Sequence, residues 1–209
     1  VVPSITNLAP TGTIYTASTT ISADYSDATS GIDSSTAKVF LDGSATALTG
    51  CTATGTGISC PVTGLAYGAH TFSVEVKDNV ANTGTNTGGS FTVGDNVAPT
   101  VTYSGPTGTI TTTGTTITGT YTDAAPSSGV NTASATVSID AGAPQACTAA
   151  AGSISCTVAG LSQGAHSAVI SISDNDANTG SSSAGSFTVD SVVPSITNLA
   201  PTGTIYTAS

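Results

Sequence analysis

Apolar and polar residues alternate along most of this chain with a period of two. An early run places Ile21, Ala23 and Tyr25 on one face and hydroxyl or carboxylate side chains on the other. This period is typical of a β-strand with one buried and one exposed face. In the first half the predicted core also contains Val39, Leu41, Ile58, Cys60, Val62, Phe72, Val74, Val76, Phe91 and Val93. In the second half it contains Ile117, Val137, Ile139, Ile154, Val158, Ile170, Ile172, Phe187 and Val189.

Turn-forming segments separate these short runs. LDGS (41–44), TGTG (54–57) and NTGTNTGG (82–89) are rich in the residues that tight turns favour. Segments around Ile5 and Leu8 and over 45–51 complete a set of about seven strands per half, by the spacing of turn signals. The pattern therefore predicts an all-β protein built from β-sandwiches.

Two repeats organise the chain. Residues 1–18 return unchanged as residues 192–209, a shift of 191 positions. A weaker repeat with a shift of 96 relates the two halves, since Pro3 corresponds to Pro99 and Phe91 to Phe187. Repeats of this kind are typical of modular arrays. They predict one sandwich over 1–95, a second over 96–190, and the start of the next repeat over 191–209. We expect the chain to be a section of a longer tandem array. The alternative is that the 209 residues form a whole subunit, whose C-terminal copy of the first strand pairs with the sheet edge of a neighbouring subunit.

Composition narrows the classes of partner. The formal net charge is −10 and the only cationic side chains besides histidine are Lys38 and Lys77. A protein that binds phosphate backbones or anionic lipid needs a basic surface, so nucleic acid is excluded as a partner. No apolar run is long enough to span a bilayer, so no membrane insertion is predicted in this segment. Ser and Thr make up about a third of the chain, well above ordinary usage, and O-linked glycans are an expected modification.

Several motifs occur in both halves. LAYGAHTFSVEVKDNVAN (65–82) matches LSQGAHSAVISISDNDAN (161–178), and SGIDSSTAKVFLDG (30–43) and the linker DNVAPTVT (95–102) accompany them. This combination resembles the bacterial immunoglobulin-like (Ig-like) tandem repeats of extracellular surface, adhesin and fibre proteins. The resemblance implies an extracellular or cell-surface location and use as a spacer, stalk or filament, and only sometimes as a ligand binder. Copies in that family usually lack cysteines, so the cysteines here are a departure.

The four cysteines form two similar motifs. CTATGTGISC (51–60) and CTAAAGSISC (147–156) each have eight residues between the sulfurs, a central glycine and a strand-like end. This spacing predicts a disulfide across a β-hairpin in each half, Cys51 with Cys60 and Cys147 with Cys156. Disulfides imply an oxidising compartment outside the cytoplasm. A metal site would need closer cysteine pairs.

The two histidines are the natural starting point for an enzyme hypothesis. His70 and His166 both lie in an LxxGAH motif before a strand, where related sandwiches carry a tyrosine that bonds to nearby backbone. We therefore predict a structural role for both. No catalytic residues and no enzymatic activity are predicted.

Acidic residues near the predicted domain junctions are the one candidate ligand site. Asp95, Asp123, Asp174 and Asp176 would converge between the halves, and Asp190 would meet the next unit's equivalents of Asp27 and Asp78. Carboxylates suit calcium, which takes six to eight oxygen ligands, and calcium is the only cofactor considered. In the alternative interpretation, Asp78 and Asn82 brace their own loop through hydrogen bonds to the backbone.

The sequence thus predicts a structural extracellular filament or stalk of tandem Ig-like sandwiches. Its linkers are stiffened by Pro99 and Pro194, whose φ is fixed, and its partners are neighbouring repeats or subunits. The alternative is an adhesin repeat region that binds glycans or a partner surface. That function needs exposed aromatic side chains, for which Tyr15, Tyr67 and Tyr103 are the candidates.

Overall fold

The secondary structure is entirely β. A computed structural model of the chain describes residues 1–198 and residue 203, and within these residues it contains strands and turns but no α-helix. None of the described residues forms a helix able to cross a membrane. The described residues form two compact units. The first consists of Val1–Thr100, Thr122–Asn131 and Ile172–Gly180, and the second contains the remaining described residues.

Residues 1–95 carry the strands of one sandwich. These are β1 (Ser4–Ala9), β2 (Thr13–Ile14), β3 (Ser18–Ser26), β4 (Ile32–Leu41), β5 (Thr52–Ala53), β6 (Gly57–Thr63), β7 (Gly68–Asp78) and β8 (Thr83–Val93). One sheet has the order β1-β3-β6-β5 and the other has the order β2-β8-β7-β4. Neighbours pair antiparallel, except that β2 pairs parallel with β8. The two sheets and their strand order are those of an immunoglobulin-type sandwich.

Residues 96–190 repeat this arrangement. The strands are β9 (Thr100–Gly105), β10 (Gly108–Ile110), β11 (Thr115–Thr122), β12 (Val130–Ile139), β13 (Gln145–Ala146), β14 (Thr148–Ala150), β15 (Ser153–Val158), β16 (Gly164–Asp174), β17 (Thr179–Ser181) and β18 (Gly185–Val189). One sheet has the order β14-β15-β11-β9, and the other has β10-β18-β16-β12-β13 with β17 beside β16. The parallel pair at the start is again present, here between β10 and β18.

The core of each sandwich comes from the inward residues of alternating strands. In β7 the burial pattern alternates from His70 to Asp78, because successive side chains point to opposite faces of a sheet. The predicted core residues are buried, apart from Leu41 and Ile139, which are half-buried. Burial of one such Val or Ile side chain contributes about 1.5–3 kcal/mol. The period-two pattern therefore identifies the inner faces of both sandwiches.

A glycine in each half allows the chain to approach the sheet closely. A Cβ atom added to Gly84 would clash with the backbone carbonyl oxygen of Pro3. A Cβ atom added to Gly180 would clash in the same way with the carbonyl oxygen of Pro99. Both prolines are buried. Any larger residue at these glycines would force the proline away. Gly84 and Gly180 therefore set where the first strand of each sandwich begins.

Two predicted details differ from the structure. The sequence predicts about seven strands per half, whereas the described residues form eight and ten, because short pieces of two or three residues are separate strands. The segment 45–51 is predicted to be a strand, but the strand begins only at Thr52. Gly50, with φ of 73°, interrupts extended backbone there. Of the predicted third segment, 199–202 and 204–209 lie outside the described residues.

Candidate functional site

Two disulfides close the predicted hairpins. Cys51 bonds to Cys60 with a Cα–Cα distance of 4.1 Å. Cys147 bonds to Cys156 with a Cα–Cα distance of 4.4 Å. The first joins the residue before β5 to the middle of β6, and its second sulfur lies in the core, since Cys60 is fully buried. All four cysteines lie in the described part of the chain and none is free, so the predicted pairing is the one present.

Each histidine links a turn to the start of a long strand. His70 Nδ1 lies 2.8 Å from Asp42 Oδ2, and His70 Nε2 lies 2.9 Å from the Ala66 carbonyl oxygen. Asp42 Oδ1 also accepts the N–H of Thr71 at 2.9 Å. The ring of His70 stacks on Phe91 at a centroid distance of 5.3 Å. The backbone contact is the structural role that the LxxGAH motif predicts.

The second sandwich repeats the histidine contacts. His166 Nδ1 lies 2.7 Å from Asp140 Oδ2, and Nε2 lies 2.9 Å from the Ser162 carbonyl oxygen. The ring stacks on Phe187. Sequence reasoning missed both aspartate partners. The available signal was that an aspartate follows the same strand in both halves, at Asp42 and Asp140.

These contacts change the ionisation of the histidines. Burial lowers the pKa of His70, but its hydrogen bonds to Ala66 and Asp42 outweigh burial and raise the pKa above its ordinary value. The hydrogen bond to Ser162, followed by the one to Asp140, raises the pKa of His166. Each ring nitrogen faces an acceptor, so only the doubly protonated ring can donate to both. Neither ring nitrogen is therefore available as a general base.

In the first sandwich Asp27 and Asp78 meet through one serine. Ser30 Oγ lies 3.1 Å from Asp27 Oδ1 and 2.9 Å from Asp78 Oδ2. Asp78 also accepts the backbone and side-chain N–H groups of Asn82 at 2.8 and 2.7 Å. Burial raises the pKa of Asp78, but hydrogen bonds from Asn82 and Ser30 outweigh it and lower the pKa to about 2. Asp78 thus braces its own loop, as the alternative interpretation expects.

Three of the predicted junction residues come together in the first compact unit. One carboxylate oxygen from each of Asp95, Asp123 and Asp174 lies within 4.8 Å of the others. Asp95 and Asp174 are buried, and Asp123 is half-buried. Asp174 also braces its loop, accepting the backbone and side-chain N–H groups of Asn178 at 2.9 and 2.7 Å. Asp174 therefore both belongs to the carboxylate cluster and braces its own loop.

Asp95 is held by backbone groups on both sides. Its Oδ2 accepts the N–H of Ser128 at 2.9 Å, and its Oδ1 accepts the N–H of Val97 at 2.9 Å. Burial raises the pKa of Asp95, but these hydrogen bonds outweigh it and lower the pKa below its ordinary value. Asp95 is therefore ionised at neutral pH although it is buried.

Asp176 lies beside this cluster, but its oxygens accept other hydrogen bonds. Its Oδ1 accepts the Tyr67 hydroxyl at 2.8 Å, and its Oδ2 accepts the N–H of Asp95 at 3.2 Å. Asp190, in contrast, is exposed, and its backbone N–H is donated to the carbonyl oxygen of Ile110. The structure thus brings Asp176 to the edge of the cluster. The predicted partners of Asp190, the next unit's equivalents of Asp27 and Asp78, lie outside the described residues, so that part stays a prediction.

Two buried carboxylate oxygens have no hydrogen-bond partner among the described residues. They are Asp27 Oδ2 and Asp123 Oδ1, which occupy corresponding positions after β3 and β11. A buried, unpaired carboxylate oxygen is costly. Its recurrence at the same position in both halves is a feature that the sequence did not reveal.

The candidate glycan-binding tyrosines differ in exposure and in contacts. Tyr15 is exposed, and Tyr67 is exposed with its hydroxyl donated to Asp176. Tyr103 covers Gly185 and donates its hydroxyl to the Pro106 carbonyl oxygen at 2.6 Å. Tyr103 is thus used in packing.

Comparison with known proteins yields structural likenesses only. No protein-family model and no curated protein matches the sequence. The fibronectin(III)-like modules of CbhA from Clostridium thermocellum are 16% identical, with 90% of this chain and 92% of that one covered and a TM-score of 0.37. The I67–I69 fragment of titin is 11% identical, with 90% and 66% covered and a TM-score of 0.47. Titin domains A168–A170 are 11% identical, with 90% and 65% covered and a TM-score of 0.47. The strand order of the two sandwiches is itself the basis for the Ig-like fold.

Proposed function

We propose that this chain is a non-enzymatic structural part of an extracellular filament or stalk built from tandem Ig-like sandwiches. The main support for this proposal is that the two halves of the chain share the same structural features. Both halves have the same strand order, the same hairpin disulfide and the same histidine–aspartate pair. An exact copy of residues 1–18 then follows the second half. Repetition of one folded unit produces length, which is what a stalk requires.

The segment around Asp95 is anchored by several hydrogen bonds within the first compact unit. Asp95 accepts hydrogen bonds from two backbone N–H groups, and its own N–H is donated to Asp176. Asn178 Nδ2 lies 3.2 Å from the Asp95 carbonyl oxygen. Pro99 is buried against Gly180. The ring of Pro99 also fixes its own φ.

The disulfides support an extracellular location, because such bonds persist in oxidising compartments. Location and chain length can be tested together. Antibodies raised against the folded chain should label intact cells in immunogold electron microscopy, with labels along thin extensions. Denaturing electrophoresis after full reduction should show material far heavier than the 20.0 kDa of this chain. Labelling only after lysis would contradict the proposal.

We also propose that calcium binds at Asp95, Asp123 and Asp174. The residues fit such an ion, because all three supply carboxylate oxygens, which calcium prefers. Asp123 Oδ1 is buried and has no hydrogen-bond donor among the described residues, so its lone pairs are available to a cation. Neither lysine forms a salt bridge with these groups in the described part of the chain. A cation would offset the repulsion between three close carboxylates.

A further inference from the structure

Asp27 and Asp123, which follow β3 and β11, differ in how far the backbone already compensates their charge. Asp27 Oδ1 accepts the N–H of Ser30 at 2.6 Å. It also accepts the N–H groups of Thr29 at 3.0 Å and Gly31 at 3.1 Å. Hydrogen bonds to a carboxylate stabilise its charged form. The backbone of this loop therefore already compensates the charge of Asp27, and a cation there would add less.

The loop that follows Asp123 is longer and cannot repeat these hydrogen bonds. Residues 124–129 read AAPSSG, whereas residues 28–31 read ATSG. In the shorter loop the shortest of the three bonds comes from the third residue after the aspartate. The third residue after Asp123 is Pro126, which has no backbone N–H. The longer loop thus lacks a donor that the shorter loop provides.

The N–H groups at the end of the longer loop are donated elsewhere. The N–H of Ser128 is donated to Asp95 Oδ2 at 2.9 Å, and the N–H of Gly129 is donated to Ser127 Oγ at 3.0 Å. In the shorter loop the two corresponding N–H groups are both donated to the loop's own aspartate. The longer loop therefore directs backbone donors away from its own aspartate, and one of them holds Asp95.

Ser127 fixes the orientation of the Asp123 carboxylate. Ser127 Oγ accepts the N–H of Gly129 and donates its own proton to Asp123 Oδ2. This contact leaves Asp123 Oδ1 buried, with no partner among the described residues. A carboxylate oxygen of Asp123 lies within 4.8 Å of those of Asp95 and Asp174. Within its loop, Asp123 is therefore held at the cluster by a hydroxyl group and not by backbone N–H groups.

We propose that the loop 124–129 creates the calcium site of this chain, with Ser127 as the positioning residue for Asp123. The inference rests on the proposed calcium site and names the segment on which that site depends. The loop leaves the charge of Asp123 for a cation, and its Ser128 N–H holds Asp95. Groups that orient metal ligands typically change the affinity for the metal about 10–100-fold. Calcium affinity should therefore depend on this loop.

Substitutions of one serine test the positioning role. The calcium dissociation constant of the full 209-residue chain is measured by isothermal titration calorimetry. Ser127→Ala should raise this constant at least about tenfold, and Ser127→Thr, which keeps the hydroxyl, should restore it. Ser30→Ala is the matched control, because Ser30 bonds to Asp27 and Asp78 outside the cluster, and it should keep the wild-type constant. A purely structural role of Ser127 would lower the melting temperature without calcium but leave the dissociation constant unchanged.

Replacement of the whole loop gives a second measurement. With AAPSSG (124–129) replaced by ATSG, calcium binding should weaken at least about tenfold. A cooperative melting transition without calcium verifies that the shortened chain is folded. Wild-type affinity in both Ser127→Ala and the shortened chain would overturn the inference and leave the calcium site standing. No heat of binding with the wild type would instead contradict the calcium site itself, and the role of the loop with it.

Discussion

His70 donates a hydrogen bond to Asp42 across 28 positions of sequence, and the distance between Nδ1 and Oδ2 is 2.8 Å. The contact joins the turn after β4 to the start of β7. His166 and Asp140 make the corresponding contact in the second sandwich. Because the other nitrogen of each ring faces a carbonyl oxygen, the fold favours the charged form of both rings. The stability of the fold therefore depends on pH in a definite direction.

The first prediction is that thermal stability falls as pH rises above neutrality. The pKa of both histidines is raised in the folded chain. Their contribution is therefore complete below the unfolded pKa of about 6.5 and is lost as pH rises through the folded pKa. Calorimetry over roughly pH 5 to 8, where histidine is the side chain that ordinarily titrates, should show a falling melting temperature at the upper end. His70→Gln with His166→Gln should flatten this profile, and an unchanged slope would contradict the assignment.

The aspartates that bond to the histidines make the stability of the fold depend on pH in the acid range as well. Burial raises the pKa of Asp42, but the hydrogen bond from His70 and the other favourable interactions of this carboxylate together outweigh burial, so the net pKa is lowered. The Thr71 N–H adds to this lowering. The N–H of Ser167 is the main cause of the lowered pKa of Asp140. This contribution is present above the ordinary aspartate pKa and is lost as pH falls through the folded value. Stability should therefore decrease again in acid.

The second prediction concerns the hairpin disulfides. Each closes a loop with a sequence separation of 9, for which the chain-entropy treatment gives about 2.5–3 kcal/mol. Reduction of both should lower the melting temperature by roughly 10–20 °C, given the size of each sandwich. Differential scanning fluorimetry with and without reductant measures this. A variant with all four cysteines replaced is the control and should not respond to reductant.

The residue pattern predicts much of the fold, but it predicts less of the contacts at the candidate site. The inner face of β3, with Ile21, Ala23 and Tyr25, follows from period two because a strand's faces depend only on local order. The Cys51–Cys60 bond follows because both residues lie in one hairpin. The His70 partner and the unpartnered oxygen of Asp27 depend instead on loops distant in sequence. Their geometry is decided by turn conformations that residue patterns do not specify.

The third prediction is that Gly84 is required for strand β1. A Cβ at this position would meet the carbonyl of Pro3. Gly84→Ala should therefore destabilise the first sandwich by about 1–3 kcal/mol, as overpacking does. Chemical denaturation measures the change. Gly55→Ala is a suitable control, since no described atom lies within 4 Å of the place its Cβ would take and its φ is not left-handed. Equal stabilities of the two variants would refute the packing argument.

The last prediction separates calcium binding from loop bracing at Asp95, Asp123 and Asp174. A ligand that binds only the folded chain raises its stability by mass action, so calcium should raise the melting temperature and a chelator should lower it. Asp123→Asn should abolish this response. Without calcium, the same variant should be at least as stable as the wild type, because it removes one of three close negative charges.

Asp190→Asn is the matched control for the calcium experiment, since Asp190 is exposed and outside the cluster. Its response to calcium should equal that of the wild type. Isothermal titration calorimetry of all three chains supplies the binding signal directly. If the wild type shows no heat of binding and no change in melting, the carboxylates serve only to brace their loops.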